Sequence, residues 1–109
     1  MIGEDTMAYI HCVFFTLKPG TPSSAVDALI ADGREYLAKV PTVRRLHTGR
    51  RDPNAVREVN VQDYEVGLVV HFDDRAGHDA YATHPLHMEY IERNKQHWAK
   101  VRVFDYLSA

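Results

Sequence analysis

The sequence predicts a single α+β domain whose elements follow the order β-α-β-β-α-β. Three observations support this prediction. Segments rich in β-branched and aromatic residues lie near the beginning and at the end of the chain. Two segments between them carry apolar residues at the three- and four-residue steps of a helix. At 109 residues the chain has the usual size of one domain and can bury about two thirds of the surface it would expose unfolded.

The first half of the chain predicts a strand, a helix and a second strand. Residues 8–18 form the first strand, which ends at the turn signal Pro19-Gly20. A helix begins within residues 21–24, where hydroxyl groups and a proline suit a first turn, and it runs to about residue 39. Gly33 lies on the apolar face of this helix and indicates close packing against the sheet. Residues 43–50 predict a short second strand.

The second half predicts a strand, an interrupted helix and a final strand. Apolar and polar residues alternate over residues 62–73, as in a strand. A helix follows over about residues 75–81, is broken at His84-Pro85 and restarts through residue 97. Residues 98–107 form the last strand. This split β-α-β-β-α-β order predicts a ferredoxin-like fold, with a four-stranded antiparallel sheet and its helices on one face.

Both faces of the first predicted strand are mostly apolar. One face carries His11, Val13, Phe15 and Leu17. The other face carries Ile10, Cys12, Phe14 and Thr16. Helices on one side of the sheet cover only one of these faces. The other would expose a contiguous apolar surface made by Ile10, Cys12, Phe14, Val69, Phe104 and Tyr106. We therefore expect a homodimer in which two copies pack sheet to sheet across a two-fold axis.

Composition and charge argue against several classes of protein. Lys and Arg together number 13 and Asp and Glu 15, for a formal net charge of −2, so we expect no nucleic-acid partner. No apolar segment has the length of a membrane span, and Cys12 as the one cysteine excludes an internal disulfide. Residues 1–7 lack a secretory signal pattern and are interpreted as a disordered extension before a single domain at 8–109. The native chain can begin at Met1 or at Met7. We expect a cytoplasmic protein that does not associate with membranes.

The segment YATHPLH at residues 81–87 carries the side chains most suited to chemistry. Pro85 favours a helix start with His84 at the cap position, which places His87 about one turn further on. An imidazole transfers protons near neutral pH. A phenol beside it, here Tyr81, stabilises negative charge on a carbonyl or enolate oxygen.

Each of these side chains also has a structural interpretation. His84 can serve only as a helix cap, and Tyr81 can be a core residue whose hydroxyl bonds to the backbone. His87 can line a pocket or lie on the surface. His11, on the helix-facing side of the first strand, is either a further polar group of the cavity or an ordinary interior histidine.

The seven histidines raise the question of a metal site. His84 and His87 lie three residues apart, without a third histidine or a carboxylate at a spacing typical of a metal site. The sequence therefore predicts no metal. It also predicts no organic cofactor, because glycine-rich nucleotide loops and the serine-hydrolase motif are absent.

The chain resembles the stress-responsive A/B barrel family, often called Dabb, from Tyr9 to Leu107. The resemblance rests on five stretches in order: HCVFFTLKPG at 11–20, VPTV at 40–43, DYEV at 63–66, YxxHPxH at 81–87 and VFDY at 103–106. It implies a ferredoxin-like protomer, a dimeric α/β barrel and a small apolar cavity between sheet and helices.

The resemblance extends to one plant member of the family, which closes a linear polyketide by an aldol reaction without metal or organic cofactor. It places the catalytic tyrosine and histidine of that enzyme on Tyr81 and His87. It also aligns a pocket histidine with His11 and a pocket tryptophan with Trp98.

Together these observations predict a homodimer that binds a small apolar carbonyl or phenolic compound. They leave open whether the protein also catalyses a reaction on that compound. His87 and Tyr81 are the catalytic candidates if the protein is a cyclase-like enzyme. The predicted ligand-binding residues are His11, Val13, Phe15, Leu68, Val70, His84 and Trp98. Two alternatives remain: a stress-associated structural protein that acts through its assembly, and a cofactor-independent monooxygenase.

Overall fold

The computed structural model describes residues 7–109, in which a four-stranded antiparallel sheet carries helices on one face, as predicted. The strands lie in the order β2-β3-β1-β4. Their bounds are β1 Tyr9–Leu17, β2 Val43–Arg50, β3 Val66–Phe72 and β4 Trp98–Leu107. The helices are α1 Ser23–Glu35, α2 Arg75–Ala82 and α3 Pro85–Asn94. The disordered extension expected over residues 1–7 lies, except for Met7, outside the described residues.

The core lies between the sheet and the helices. The central strands β1 and β3 supply its floor, and alternate residues of β3 point into it with at most 4% exposure: Val66, Leu68, Val70 and Phe72. The alternation predicted for this strand is confirmed over these four residues. No helix within residues 7–109 has the length and apolar character that crossing a membrane would require.

Strand β3 is shorter than predicted, because it begins at Val66 instead of residue 62. Glu65 still extends the ladder by one residue, since its amide donates to the Phe15 carbonyl at 2.9 Å and its carbonyl accepts from Arg51 at 3.0 Å. Before Glu65 the chain turns away, and Tyr64 packs edge-on against Phe14 on the open sheet face. The apparent alternation at residue 64 therefore does not continue the strand.

The first helix also ends earlier than predicted, at Glu35, and a 3-10 turn over Leu37–Lys39 replaces its last turn. This turn points Leu37 fully into the core. The close packing expected at Gly33 is present, because a Cβ there would lie 3.1 Å from Cγ2 of Thr48. The third helix likewise ends at Asn94 and is followed by a 3-10 turn over Lys95–His97.

The open face of the sheet is apolar, with one correction. Ile10 is only 3% exposed and does not contribute to the exposed surface that was predicted. Phe104 and Tyr106 of β4 are 55% and 57% exposed, since no helix covers this side. Phe14 lies half-buried beside Phe104, with ring centroids 6.1 Å apart.

A buried carboxylate joins α1 to α3. Asp32 accepts hydrogen bonds from Arg93 Nε at 2.9 Å and from the buried Asn94 amide at 3.0 Å. The same Asn94 amide donates to the Tyr90 carbonyl at 2.9 Å. These contacts hold α3, and with it the residues of the cavity described below, against the first helix.

We expect Asp32→Ala to lower the free energy of unfolding by about 2 kcal/mol, because the buried Asn94 amide loses a charged acceptor. Urea denaturation measures this change. Asp27→Ala is the matched control, since Asp27 pairs with Arg50 at the surface and its loss should cost less than about 0.5 kcal/mol. Equal losses in the two variants would contradict the structural role of Asp32.

Candidate functional site

A cavity of about 230 Å³ lies between β1 and the helices α2 and α3. Its lining is aromatic and aliphatic with three histidines: His11, Val13, Phe15, Leu68, His78, Tyr81, Ala82, His87, Tyr90, Ile91, Trp98, Val101 and Val103. Val101 and Val103 of the edge strand are 40% and 50% exposed and form its rim. A ligand therefore has access beside β4.

The structure brings together most, but not all, of the residues that the sequence singled out. Those that line the cavity are His11, Val13, Phe15, Leu68, Tyr81, His87 and Trp98. Val70 is fully buried in the core and does not reach the cavity. His84 caps α3 and also lies outside the lining.

The interruption between α2 and α3 positions the central histidine. His84 accepts the Leu86 amide hydrogen on its Nδ1 at 3.0 Å, which is the cap predicted for it. His87, one turn further on, places its Nδ1 3.0 Å from the Ala82 carbonyl oxygen. A carbonyl only accepts, so Nδ1 of His87 carries the hydrogen of this bond.

His87 and Tyr81 are neighbours in the cavity, with ring centroids 4.6 Å apart. Burial lowers the pKa of His87, while its bond to Ala82 opposes this shift in part. The ring is therefore neutral near pH 7, with its unprotonated nitrogen at Nε2. Burial also raises the pKa of Tyr81, so the phenol keeps its proton and can donate it in a hydrogen bond.

A second histidine also lies near Tyr81. The ring of His11 is 5.9 Å from that of Tyr81, and its Nδ1 lies 2.6 Å from Oδ1 of Asp105. Burial lowers the pKa of His11, although the Asp105 carboxylate opposes the shift. A neutral His11 donates from Nδ1 to the carboxylate and keeps Nε2 as an acceptor.

Within residues 7–109, one group of side chains could hold a metal ion. Ligand atoms of His11, His78 and Asp105 lie within 4.8 Å of one another. Two imidazoles and a carboxylate suit zinc or iron chemically. In the structure His11 and Asp105 bond directly to each other instead, and the absence of a metal stays a prediction.

Sequence reasoning missed two polar lining residues, His78 and Tyr90. Both lie three residues from a candidate that was recognised: His78 precedes Tyr81 in α2, and Tyr90 follows His87 in α3. Residues at this spacing share a helix face. The spacing was thus a usable signal.

The family assignment follows from comparison with known proteins. The family described as Stress responsive A/B Barrel Domain, or Dabb, matches residues 10–108. The chain belongs to this family, as the sequence motifs predicted. A search of curated protein sequences finds no match.

Solved structures support the fold. A Dabb protein with a ferredoxin-like fold from Mesorhizobium loti is 24% identical, with a TM-score of 0.76 over 94% of this chain and 98% of that one. A dimeric ferredoxin-like protein of unknown function from Thermobifida fusca is 19% identical, with a TM-score of 0.77 over 92% and 90%. A hydroxynitrile lyase from Passiflora edulis is 20% identical, with a TM-score of 0.79 over 94% of each chain. Similar folds therefore include dimers and an enzyme.

The lowered pKa of His87 has a measurable consequence for stability. In the unfolded chain His87 has the ordinary histidine pKa near 6.5, whereas in the folded protein its pKa is lower. As pH falls below about 6.5, the unfolded chain therefore binds a proton more readily than the folded protein does, and the free energy of unfolding decreases. We expect His87→Asn to weaken this fall between pH 7 and pH 5, as measured by urea denaturation at several pH values. At pH 8 His87 is neutral in both states and does not contribute. Equal slopes for wild type and variant would contradict the burial of a neutral His87.

Proposed function

We propose that this protein binds a small carbonyl compound in the cavity and that His87 removes a proton from the carbon beside the carbonyl. The hydrogen bond from His87 Nδ1 to the Ala82 carbonyl carries this proposal. It leaves the basic nitrogen, Nε2, on a side chain that lines the cavity. A general base works best when it is unprotonated at the working pH, as burial makes His87.

The proton transfer can be written with the residues present. Nε2 of His87 takes the proton, and the C–H electron pair moves into the carbonyl to give an enolate oxygen. The protonated Tyr81 hydroxyl donates a hydrogen bond to that oxygen as negative charge develops. The enolate carbon then attacks a second carbonyl, whose oxygen takes the proton from Nε2 of His87 as the new carbon–carbon bond forms, or the same carbon regains that proton and no new bond forms. No cofactor is needed for either outcome.

The apolar lining strengthens this chemistry. Val13, Phe15 and Leu68 supply a surface with no competing hydrogen-bonding side chains. Because electrostatic interactions are stronger away from water, a hydrogen bond to the enolate stabilises it more here than at the protein surface. The hydroxynitrile lyase of similar fold is an example of an enzyme built on this architecture.

The substitution His87→Asn tests the base. Asparagine keeps a side-chain N–H that can reach Ala82 but has no basic nitrogen. In D2O we expect wild type to accelerate deuterium exchange at the α-carbon of nonane-2,4-dione above the buffer rate. The variant should slow the catalysed exchange by about a hundredfold or more. NMR measures the exchange.

The matched control is His97→Asn, in the 3-10 turn after α3 and outside the cavity lining. Its exchange rate should equal that of wild type. Exchange at the buffer rate with wild type would overturn the proposed catalysis. If, in addition, no β-dicarbonyl or phenolic compound raises the melting temperature, the assembly function becomes the better interpretation.

We also propose that the protein is a homodimer that packs through the open sheet face. The exposed Phe104 and Tyr106 form the outer part of this face. Beside them lies a concavity of about 460 Å³, whose floor includes the paired glycines Gly49 and Gly67. A second copy would cover this apolar surface. The protein of similar fold from Thermobifida fusca is dimeric, which supports the proposal of a dimer.

The substitution Phe104→Glu should convert this dimer to a monomer, because each copy would bury a charge in the interface without a partner. Sedimentation equilibrium measures the change in mass. Met88→Glu is the matched control, since Met88 is exposed on α3, away from the open sheet face, and should leave the mass unchanged. A wild-type protein that sediments as a monomer would refute the dimer.

A further inference from the structure

Two residues that line the cavity carry buried hydrogen-bond donors without a partner among the described residues. These donors are the Tyr90 hydroxyl and the Trp98 indole N–H, and neither forms a hydrogen bond within residues 7–109. Tyr90 as a whole is only 2% exposed. An unsatisfied buried donor costs free energy, and two beside one cavity indicate that something else accepts these hydrogens.

The rings that carry the two donors are neighbours. The Tyr90 and Trp98 rings are 6.2 Å apart, and both pack around Phe15, at 6.4 Å and 4.9 Å respectively. Phe15 lies four residues along β1 from His11, which corresponds to roughly 13 Å of strand. The cavity therefore has a donor pair at one end and the His11–Asp105 pair at the other.

A β-bulge directs Trp98 toward this position. β4 pairs residue by residue with β1 up to Thr16 and Lys100, but Leu17 then pairs with Trp98, so Ala99 is an extra residue. Strict alternation from Val101 would have placed Trp98 on the open face of the sheet. The bulge turns the indole to the helix side, as such irregularities commonly do beside functional sites.

We propose that Tyr90 and Trp98 form a subsite that holds a neutral carbonyl oxygen of the ligand, distant from the carbon that His87 deprotonates. This inference rests on the proposed function and adds a second carbonyl to the substrate class. The ligand is thus an elongated compound with a carbonyl near His87 and Tyr81 and another near Tyr90 and Trp98.

The surroundings favour a neutral oxygen over a carboxylate. Within the described part of the chain, no Lys or Arg side chain lines the cavity. Burial and the charges of nearby groups, including Asp32, raise the pKa of Tyr90, so its hydroxyl stays a donor. The same Asp32 charge would repel an anionic group at this end.

Three probes of matched length test this subsite: nonane-2,4,8-trione, nonane-2,4-dione and 5,7-dioxooctanoate. Trp98 is the sole tryptophan, so its fluorescence reports binding directly. We expect the trione to bind wild type about tenfold more tightly than the dione, the effect of a satisfied neutral hydrogen bond. The acid should bind more weakly than the trione.

Tyr90→Phe is the decisive variant, because it removes one oxygen and keeps the ring. It should reduce the preference for the trione over the dione, because only the Trp98 N–H remains to donate to the distal carbonyl. Without ligand, its melting temperature should equal or exceed that of wild type, since the lost hydroxyl had no partner. If the Tyr90 hydroxyl had a structural role instead, its removal would lower the melting temperature of the protein without ligand.

The outcomes separate the subsite from the proposed function. A preference for the trione that is undiminished in Tyr90→Phe, a loss of stability in the free variant, or tighter binding of the acid overturns the subsite. Failure of both neutral probes to bind wild type overturns the subsite together with ligand binding. Binding with the expected preference but without α-proton exchange supports the subsite and refutes His87 as a base.

Discussion

The break between α2 and α3 governs the chemistry of the cavity. In a continuous helix the Leu86 amide would donate to the Ala82 carbonyl. Here it donates to Nδ1 of His84 instead, which leaves the Ala82 carbonyl to accept from Nδ1 of His87. Pro85, at the first position of α3, has no N–H to lose and favours the break. Through these two hydrogen bonds, the break in the helix fixes the orientation of the His87 imidazole and leaves its Nε2 unprotonated.

Burial then sets the protonation states that acid–base chemistry requires. It lowers the pKa of His87 and raises that of Tyr81, because the charged form of each loses hydration in the same apolar cavity. At one pH the His87 imidazole is therefore deprotonated and the Tyr81 phenol protonated. Burial moves the two pKa values apart, so both states hold over a wider pH range than they would for the same pair at the surface. In the proposed reaction the aliphatic lining residues contribute through their low polarity.

Periodicity in the sequence predicted the order of elements and the α+β class, and Pro85 predicted the cap at His84. It could not predict features that depend on contacts between distant segments. The bulge at Trp98 requires the register of β4 against β1, and the late start of β3 depends on Tyr64 packing against Phe14. Likewise, Val70 points toward the helices, as the alternation predicted, but it is covered completely by the core. The pattern therefore identified the sheet face on which Val70 lies but not whether it reaches the cavity.

The strands β1 and β4 connect the cavity to the open sheet face. On one side β1 presents Val13 and Phe15 to the cavity, and on the other Phe14 lies against Phe104 of β4. The sheet is a single layer of strands. A partner that packs on Phe104 therefore restrains β4, whose other face forms the rim of the cavity. The proposed dimer contact and the cavity rim therefore share one stretch of backbone. In the proposed homodimer, packing on the open sheet face would hold the edge strand and so keep the cavity defined despite its exposed apolar rim.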